Sequence, residues 1–370
     1  MQTLMSRIGA EVPIIQAPMA SAQDSAMVIA ASRAGAVGSL PCAMLTVEQA
    51  EKEVATIREA TDKPFNINFF CHKSPAVNSI ADEKWLKTLT PYYREAGLDS
   101  SSLPEAAARS PFDESFCQLV EQCKPAVVSF HFGLPDVHLL ERVKAAGCLI
   151  ISSATTGAEA EWLAARGCDA IIAQGVEAGG PRGIFLTDDP CRDVEKQPGL
   201  VALLAEIKDC VDIPVIAAGG IANGSAIAAA LTMGAEMVQI GTSFLFTHEA
   251  LISPLHSEAL NQASASDTAL TNIFSGRPAR GIVNRVMQDL NPLCSTAPAF
   301  PTAGTALLPL KKAAEAQGRS DFSSLWAGQG VATAARVAKE SVSGAQEGNR
   351  KPGTEELIGK LYTSAKGYLN

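Results

Sequence analysis

Residues 214–243 read PVIAAGGIANGSAIAAALTMGAEMVQIGTS and contain a complete strand–helix–strand pattern. A short apolar run, Pro214–Ala218, precedes Asn223–Met233, where apolar residues recur at helical spacing. Gly234 follows, as glycine often does after a helix, and a second apolar run, Glu236–Ile240, comes next. Because neither run alternates apolar with polar residues, both are typical of parallel strands covered on two faces. The stretch predicts a parallel strand–helix–strand unit.

The same alternation extends outward over the first 250 residues. Eight strand–helix units indicate either a (β/α)8 barrel or a long doubly wound sheet, and the count of eight favours the barrel. No G-x-G-x-x-G follows the first run, which disfavours a dinucleotide-binding doubly wound fold. The predicted fold class is therefore α/β, a (β/α)8 TIM barrel. The eight apolar runs are Val12–Gln16, Ala36–Leu40, Phe65–Phe69, Ala126–Phe130, Cys148–Ser152, Asp169–Ala173, Pro214–Ala218 and Glu236–Ile240.

The barrel accounts for only part of the 370 residues. We assign it residues 1–246. Residues 247–324, rich in Ala, Ser and Pro and without a convincing strand, are predicted to form a smaller helical lid domain inserted after the eighth strand. Residues 325–370 are predicted to return to the barrel, through a mobile polar loop at Ser343–Thr354 and a last short helix. A loop-rich insertion is predicted at His72–Phe116, which contains four prolines.

Composition excludes several classes of protein. Hydrophobic residues make up 47% and charged residues 19%, so the chain is not disordered. A net charge of −9 offers no basic field for nucleic acid or an anionic membrane. The nine cysteines form no C-x-x-C pair, and no apolar stretch is long enough to span a bilayer. We expect a cytoplasmic protein with reduced cysteines, as a monomer or small homo-oligomer.

Glycine-rich loops follow the seventh and eighth predicted strands, where barrels of this type commonly bind phosphate. Gly219 and Gly220 come after one strand, and Gln239, Gly241 and Thr242 come at the end of the other. Exposed backbone N–H groups at a helix N-terminus favour an anion. Tight turns are the alternative explanation, but the pairing of the two loops favours a phosphate site.

Polar and soft side chains also stand at other strand ends. Gln16, Ala17, Pro18 and Met19 can lay backbone against a flat ring, or form a simple turn with a core methionine. Asn68, inside an apolar run, needs a hydrogen-bond partner, which is either a ring edge or backbone.

The loop after the sixth strand, residues 174–183, opens with Gln174, which should point into the barrel mouth. It also contains Gly179 and Gly180. Glu177 is a candidate base, but a solvated carboxylate or one paired with Arg182 is the stronger expectation.

Among the five histidines, His131 is the best candidate for acid–base chemistry because it closes the fourth strand at the barrel mouth. A structural histidine is the alternative. His72 is a weaker candidate, and packing or surface roles are expected for the others. No spacing typical of a metal site occurs, so none is predicted. A phosphate cradle with Gln and Asn nearby suits flavin mononucleotide (FMN); a phosphosugar is the competing ligand.

Motifs along nearly the whole chain resemble those of the nitronate monooxygenase family. They are QAPM (16–19), FNINFF (65–70), SFHFGLP (129–135), QGVEAGGPRGIF (174–185), PVIAAGGIANG (214–224), VQIGTSFL (238–245), SGRPARG (275–281) and SLWAGQG (324–330).

The resemblance implies an FMN-binding barrel that oxidises alkyl nitronates with dioxygen, through a flavosemiquinone, to a carbonyl compound and nitrite. It places residues 17–19 along the isoalloxazine ring, and Asn68 and Gln174 at the ring or ribityl chain. Gly179 and Gly180 would approach the cofactor. The phosphate end would be held by Gly219, Gly220, Gln239, Gly241 and Thr242.

One departure from the family pattern concerns catalysis. The family loop usually reads AGGHRG and its His is the catalytic base, but this chain has Pro181 there. Because proline cannot take a proton, we expect weak activity on neutral nitroalkanes, with His131 supplying a hydrogen bond, a charge or a substitute base. The lid also lacks the family's tyrosines between residues 299 and 312, where Phe300 stands.

Other functions on the same scaffold are an FMN-dependent NAD(P)H reductase of the quinone or enoyl type, or a non-catalytic flavin-binding protein. A phosphosugar isomerase or aldolase without flavin is disfavoured, because no lysine closes a predicted strand for Schiff-base chemistry.

Overall fold

The computed structural model describes residues 2–73, 78–100, 110–342 and 350–369, and it confirms the predicted barrel. Each of the eight predicted runs overlaps a strand. In chain order the strands are β1 (Ile14–Gln16), β2 (Gly38–Pro41), β3 (Phe65–Phe70), β4 (Val127–His131), β5 (Leu149–Ala154), β6 (Ala170–Gln174), β7 (Gly180–Pro181), β8 (Val215–Ala218), β9 (Met237–Ile240), β10 (Thr268–Thr271) and β11 (Ala279–Ile282).

Eight of these strands form one parallel sheet in the order β1-β9-β8-β6-β5-β4-β3-β2. The two ends of this order meet where Ile15 of β1 forms a parallel bridge with Val37, the residue before β2, and Gln16 N donates to Val37 O at 2.9 Å. This bridge closes the sheet into a barrel. The barrel therefore has the architecture that eight strand–helix units predict.

The helices lie between and beyond the barrel strands. They are α1 (Leu4–Ile8), α2 (Ser25–Arg33), α3 (Val47–Ala60), α4 (Ser79–Glu95), α5 (Glu114–Cys123), α6 (Val137–Ala145), α7 (Gly157–Ala165), α8 (Pro190–Asp193), α9 (Leu200–Cys210), α10 (Gly224–Thr232), α11 (Pro254–Gln262), α12 (Arg285–Leu290), α13 (Leu308–Glu315), α14 (Val331–Ser341) and α15 (Thr354–Leu369). Short 3₁₀ helices occupy Val194–Lys196, Thr242–Phe246, Ala265–Asp267 and Thr305–Leu307.

Two apolar layers hold the barrel together. Inside it, Ile15, Ile151 and Met237 from different strands pack with Leu4 of α1. The larger layer lies between the strands and the surrounding helices. Since strands covered on both faces need apolar residues on both, this packing explains why the strand sequences do not alternate.

The prediction that residues 247–324 carry no strand is wrong. β10 and β11 pair antiparallel, and β11 also pairs with the two-residue β7 in the loop after β6. These strands have two to four residues and no continuous apolar run, so their pairing depends on contacts distant in sequence. The lid is otherwise helical, and the limits at 246 and 324 stay predictions.

The insertion between β3 and β4 is also more ordered than predicted. It contains the 17-residue helix α4, which begins after Asn78 and includes Pro91. Trp85, Leu89 and Tyr93 recur at helical spacing and are buried against the lid. The prolines near the helix obscured this pattern, because proline in a helix interior is normally unfavourable.

At the C-terminal end of the described chain, α15 packs closely against α10. A β-carbon at Gly224 would lie 2.4 Å from Ser364 Oγ, so glycine is what allows this approach. α15 has 16 residues and is not the short helix expected. Most of the loop predicted at Ser343–Thr354 lies outside the described residues. In the described parts of the chain, no helix is long and apolar enough to cross a bilayer.

Candidate active site

A cavity of about 600 Å³ opens at the carboxyl ends of the barrel strands, between the barrel and the lid. This is the end of a (β/α)8 barrel at which active sites occur. The structure brings thirteen of the fourteen predicted site residues to its wall. They are Ala17, Pro18, Met19, Asn68, His131, Gln174, Gly179, Gly180, Gly219, Gly220, Gln239, Gly241 and Thr242.

Gln16 is the predicted residue that does not line the cavity. Its side chain is fully buried beside β2, where Oε1 accepts from Ser39 N at 3.0 Å. Nε2 donates to Gln23 Oε1 at 2.7 Å and to its neighbour Ala17 O. The amide of Gln16 therefore supports the backbone that carries residues 17–19.

The loops at the predicted phosphate end approach each other closely. Gly219 and Gly220 have φ angles of 119° and 69°, which suit glycine. A β-carbon at Gly179 would lie 2.5 Å from Gly328 N, so the loop after β6 touches the segment just beyond the lid there. Gly328 N in turn donates to Thr242 Oγ1 at 2.9 Å. Backbone from three elements is thus gathered at one end of the cavity.

Gln239 provides a direct test of whether a cofactor fits. Its Oε1 is buried and has no hydrogen-bond partner among the described residues, although the residue lines the cavity. A buried polar atom without a partner is unfavourable unless a ligand or water satisfies it. An unpaired amide oxygen beside glycine-rich loops is a suitable environment for the hydrogen-bonding groups of a flavin.

The two other predicted amides already have protein partners. Asn68 Nδ2 donates to Ser129 Oγ at 2.9 Å. Gln174 Nε2 donates to Pro181 O at 3.0 Å, while its Oε1 accepts from Gly183 N at 2.7 Å. Gln174 therefore holds both ends of the turn that contains Pro181.

His131 lies at the end of β4 with both ring nitrogens engaged. Nε2 is 3.1 Å from Pro181 O and Nδ1 is 2.9 Å from Ser153 Oγ. Since a carbonyl only accepts, Nε2 carries the hydrogen and Nδ1 accepts from the Ser153 hydroxyl. Burial, reinforced by the nearby positive charges of Arg277 and Arg182, lowers the pKa of His131 to about 3. The imidazole is neutral at physiological pH.

Glu177 is half-buried and forms no ion pair with Arg182. Its carboxylate accepts from Leu200 N at 2.9 Å, at the first residue of α9. Arg182 is fully buried and donates to Gln174 O, Gly175 O and Gln197 Oε1 at 2.6–2.8 Å. Both side chains therefore stabilise the loop after β6.

Several cavity residues were not predicted from the sequence. Ser129 stands in a predicted strand, and a polar residue in an apolar run was the signal that could have identified it. Ser153 directly follows the predicted run Cys148–Ser152. The lid contributes Phe300 and Lys311, and Trp326 lies just beyond it. Neither periodicity nor spacing indicates that these side chains share the cavity. Among the described residues, no group of three or more His, Cys, Asp or Glu could hold a metal ion.

The sequence and the fold match those of known proteins. The family model described as nitronate monooxygenase matches residues 2–343. The chain belongs to the nitronate monooxygenase family. It is therefore an enzyme, a flavin oxidoreductase. The general activity of the family is nitronate oxidation, which uses a small-molecule substrate and oxygen.

Individual relatives agree with this membership. A nitronate monooxygenase of Paraburkholderia phytofirmans is 37% identical over 358 residues, covering 96% of this chain and 97% of the relative. One of Pseudomonas aeruginosa is 39% identical over 336 residues, covering 88% and 93%.

Solved structures support the same fold. The structure of a nitroalkane oxidase from Streptomyces ansochromogenes matches with a TM-score of 0.84 and 34% identity, covering 97% of each chain. FabK from Thermotoga maritima matches with a TM-score of 0.71 over 100% of this chain and 97% of that chain. At 24% identity, this second likeness shows the fold alone.

Proposed function

We propose that this enzyme uses FMN to oxidise alkyl nitronates with dioxygen to a carbonyl compound and nitrite, and that it is weak on neutral nitroalkanes. The observation that carries the second part is Pro181, which lines the cavity and has no titratable side chain. Membership of the nitronate monooxygenase family supports the first part.

We expect different parts of the cavity wall to hold the two ends of FMN. The glycines at 219, 220 and 241, with Thr242, would hold the phosphate through backbone and hydroxyl groups. Residues 17–19 would face the ring, and Asn68, Gln174 and Gln239 would provide amides. When bound, FMN would supply the electron acceptor for the nitronate.

The titratable side chains of the described cavity wall are all engaged with other groups. They are His131, His256, Lys311 and Glu315. His256 Nε2 donates to Trp326 O at 3.1 Å, and Glu315 accepts from Ser323 Oγ at 2.7 Å. His131 is neutral and bonded at both nitrogens. We infer that none of them is the base for a neutral nitroalkane, and that the family's base position, held here by Pro181, stays without a substitute.

This arrangement favours a substrate that arrives already deprotonated. General base catalysis typically contributes about 10²–10⁴-fold, so its absence costs little for a nitronate but much for a nitroalkane. We assign His131 a hydrogen-bonding role rather than that of charge or base, because it orients the Ser153 hydroxyl and the Pro181 carbonyl on the wall.

An anaerobic titration tests the proposed function. Purified protein loaded with FMN receives propyl 2-nitronate or neutral 2-nitropropane, and the visible absorption of the bound flavin is followed. We expect the nitronate to change the flavin spectrum quickly and 2-nitropropane to act at least a hundredfold more slowly. A flavin that is inert to the nitronate but bleached rapidly by NADH or NADPH would overturn the proposal in favour of a reductase.

Replacing Pro181 tests whether the lack of a base at this position limits activity on neutral nitroalkanes. We expect Pro181→His to raise kcat/KM for neutral nitroethane by about 10²–10⁴-fold, with a much smaller change for ethyl nitronate. Pro181→Gln is the matched control, because it changes shape without adding a base. Comparable wild-type rates on nitroethane and its nitronate would contradict this explanation.

A further inference from the structure

Beyond the predicted cofactor residues, the cavity extends into an apolar compartment formed largely by the lid. Large apolar side chains dominate its wall. They are Phe70, Phe274, Phe300, Leu307, Phe322 and Trp326. We call this set the aromatic compartment. It lies in the same cavity as His131 and Gln174, so the substituent of a substrate held beside them can extend into it.

Rings pack against one another on two parts of this wall. The ring centroid of Phe132 lies 5.0 Å from that of Phe70 and 5.6 Å from that of Phe300. The centroids of Phe70 and Phe300 are 6.4 Å apart. Phe274 and Trp326 meet edge to face at 5.7 Å and 85°. These mutual contacts fix the rings in place before any ligand binds.

The backbone joins the two ring groups. A β-carbon at Gly276 would lie 2.4 Å from Phe300 N, and one at Gly304 would lie 2.7 Å from Phe274 O. The chain around Phe300 therefore lies directly against the chain that carries Phe274. Close packing of this kind leaves Phe300 little freedom, so the compartment is preformed.

The polar groups near this compartment largely satisfy one another. Lys311 Nζ lies 3.8 Å from Glu315 Oε1, and Ser323 donates to the same carboxylate oxygen at 2.7 Å. None of the four tyrosines, all in described parts of the chain, lines the cavity. A substituent entering here meets mainly apolar surface and few unpaired hydrogen-bonding groups.

We propose that the aromatic compartment selects nitronates that bear an aryl or long alkyl substituent, and that Phe300 is a specificity-determining residue. This inference rests on the proposed nitronate oxidation. Burial of each methylene should raise kcat/KM by up to about fourfold, if the contact is kept in the transition state. An aryl group gains in addition from edge-to-face contact with the rings.

A substrate series tests the proposal on the FMN-loaded enzyme. We would measure kcat/KM for the nitronates of nitroethane, 1-nitrobutane, 1-nitrohexane and phenylnitromethane, at a pH where each is an anion. We expect the hexyl and phenyl values to exceed the ethyl value at least tenfold. Equal values across the series would overturn the substrate class, while failure of every nitronate would overturn the proposed function itself.

Two variants then test Phe300. Phe300→Ala should reduce the hexyl-to-ethyl and phenyl-to-ethyl ratios of kcat/KM at least fivefold. Phe300→Leu keeps apolar volume, so it should retain the hexyl preference and lose the phenyl preference; it also serves if the alanine variant fails to fold. Val201→Ala, at an exposed apolar residue outside the cavity wall, is the control. Unchanged ratios in both Phe300 variants would overturn its role.

Discussion

His131 shows how position and environment set the chemistry of a single residue. It closes a barrel strand, where catalytic side chains are common, yet burial holds its pKa near 3. The Pro181 carbonyl fixes the hydrogen on Nε2 and the Ser153 hydroxyl occupies Nδ1. A strand-end histidine is therefore a hydrogen-bonding group here, and its neutrality has a measurable consequence for stability.

Stability should fall as the pH is lowered, partly through His131. Its pKa in the folded protein lies below the usual 6.5, so the unfolded chain binds a proton first. The stability that the neutral His131 contributes is fully present above about pH 6.5 and is lost as the pH falls towards 3. Between pH 7.5 and 5, urea unfolding should show wild type losing about 2 kcal/mol more than His131→Gln.

Exposed His138 on α6 provides the control for this comparison, since His138→Gln also removes an imidazole. The same pH dependence in wild type and His131→Gln would contradict a buried neutral imidazole.

At the scale of elements, the loop between β6 and α8 connects the barrel, the lid and the predicted phosphate end. The Glu177 carboxylate accepts a hydrogen bond from the first residue of α9, and the buried Arg182 donates to the carbonyl of Gly175 in the loop. Gly179 permits contact with residues 327 and 328, just beyond the lid. The glycines of this loop thus allow its backbone to lie close to neighbouring segments, and hydrogen bonds hold the folded loop in place.

Gly179→Ala should weaken cofactor binding. The new methyl group would meet backbone at 2.5 Å, which cannot move aside as a flexible side chain can. We expect the Kd for FMN, measured by flavin fluorescence, to rise at least tenfold.

Gly359→Ala on α15 is the matched control, because no atom lies within 4 Å of its β-carbon position. It should leave the Kd unchanged and stabilise the helix by up to about 1 kcal/mol. Equal Kd values for wild type and Gly179→Ala would contradict the close contact.

At the scale of the whole molecule, the lid is assembled from distant parts of the chain. Helix α4 precedes β4 in sequence, yet Trp85 donates to Ala303 O at 2.9 Å and Tyr93 to Ala306 O at 2.6 Å. Both rings are buried with Leu310 in one apolar cluster. The segment that carries the aromatic compartment is therefore supported from behind by α4.

Trp85→Ala should destabilise the protein strongly. Removing a buried tryptophan leaves a cavity and an unpaired carbonyl, so we expect a loss of about 3–5 kcal/mol in the free energy of unfolding, measured with urea. Ile80 lies on the same helix but is 78% exposed, so Ile80→Ala is the control. It should change the free energy of unfolding by less than about 0.5 kcal/mol. Similar losses in the two variants would contradict the assembly of α4 with the lid.

The barrel could be predicted from sequence because its signals are local. Apolar runs of strand length and glycines after helices recur in order, and Gly35, Gly147, Gly167 and Gly234 all adopt positive φ. Most predicted site residues line one cavity because the carboxyl ends of barrel strands converge. Gln16 differs since its amide is satisfied by Gln23 and Ser39, which a strand pattern does not indicate.

The sequence by itself determined the order of strands and helices along the barrel, the glycine-rich end of the site and the absence of a base at position 181. Only the tertiary structure decided that α4 belongs with the lid, that β7 pairs with β11, and which aromatic rings share the cavity. The physical reason is range. Periodicity and capping act within one element, whereas the lid is held by contacts between segments about 200 residues apart, such as that of Trp85 with Ala303.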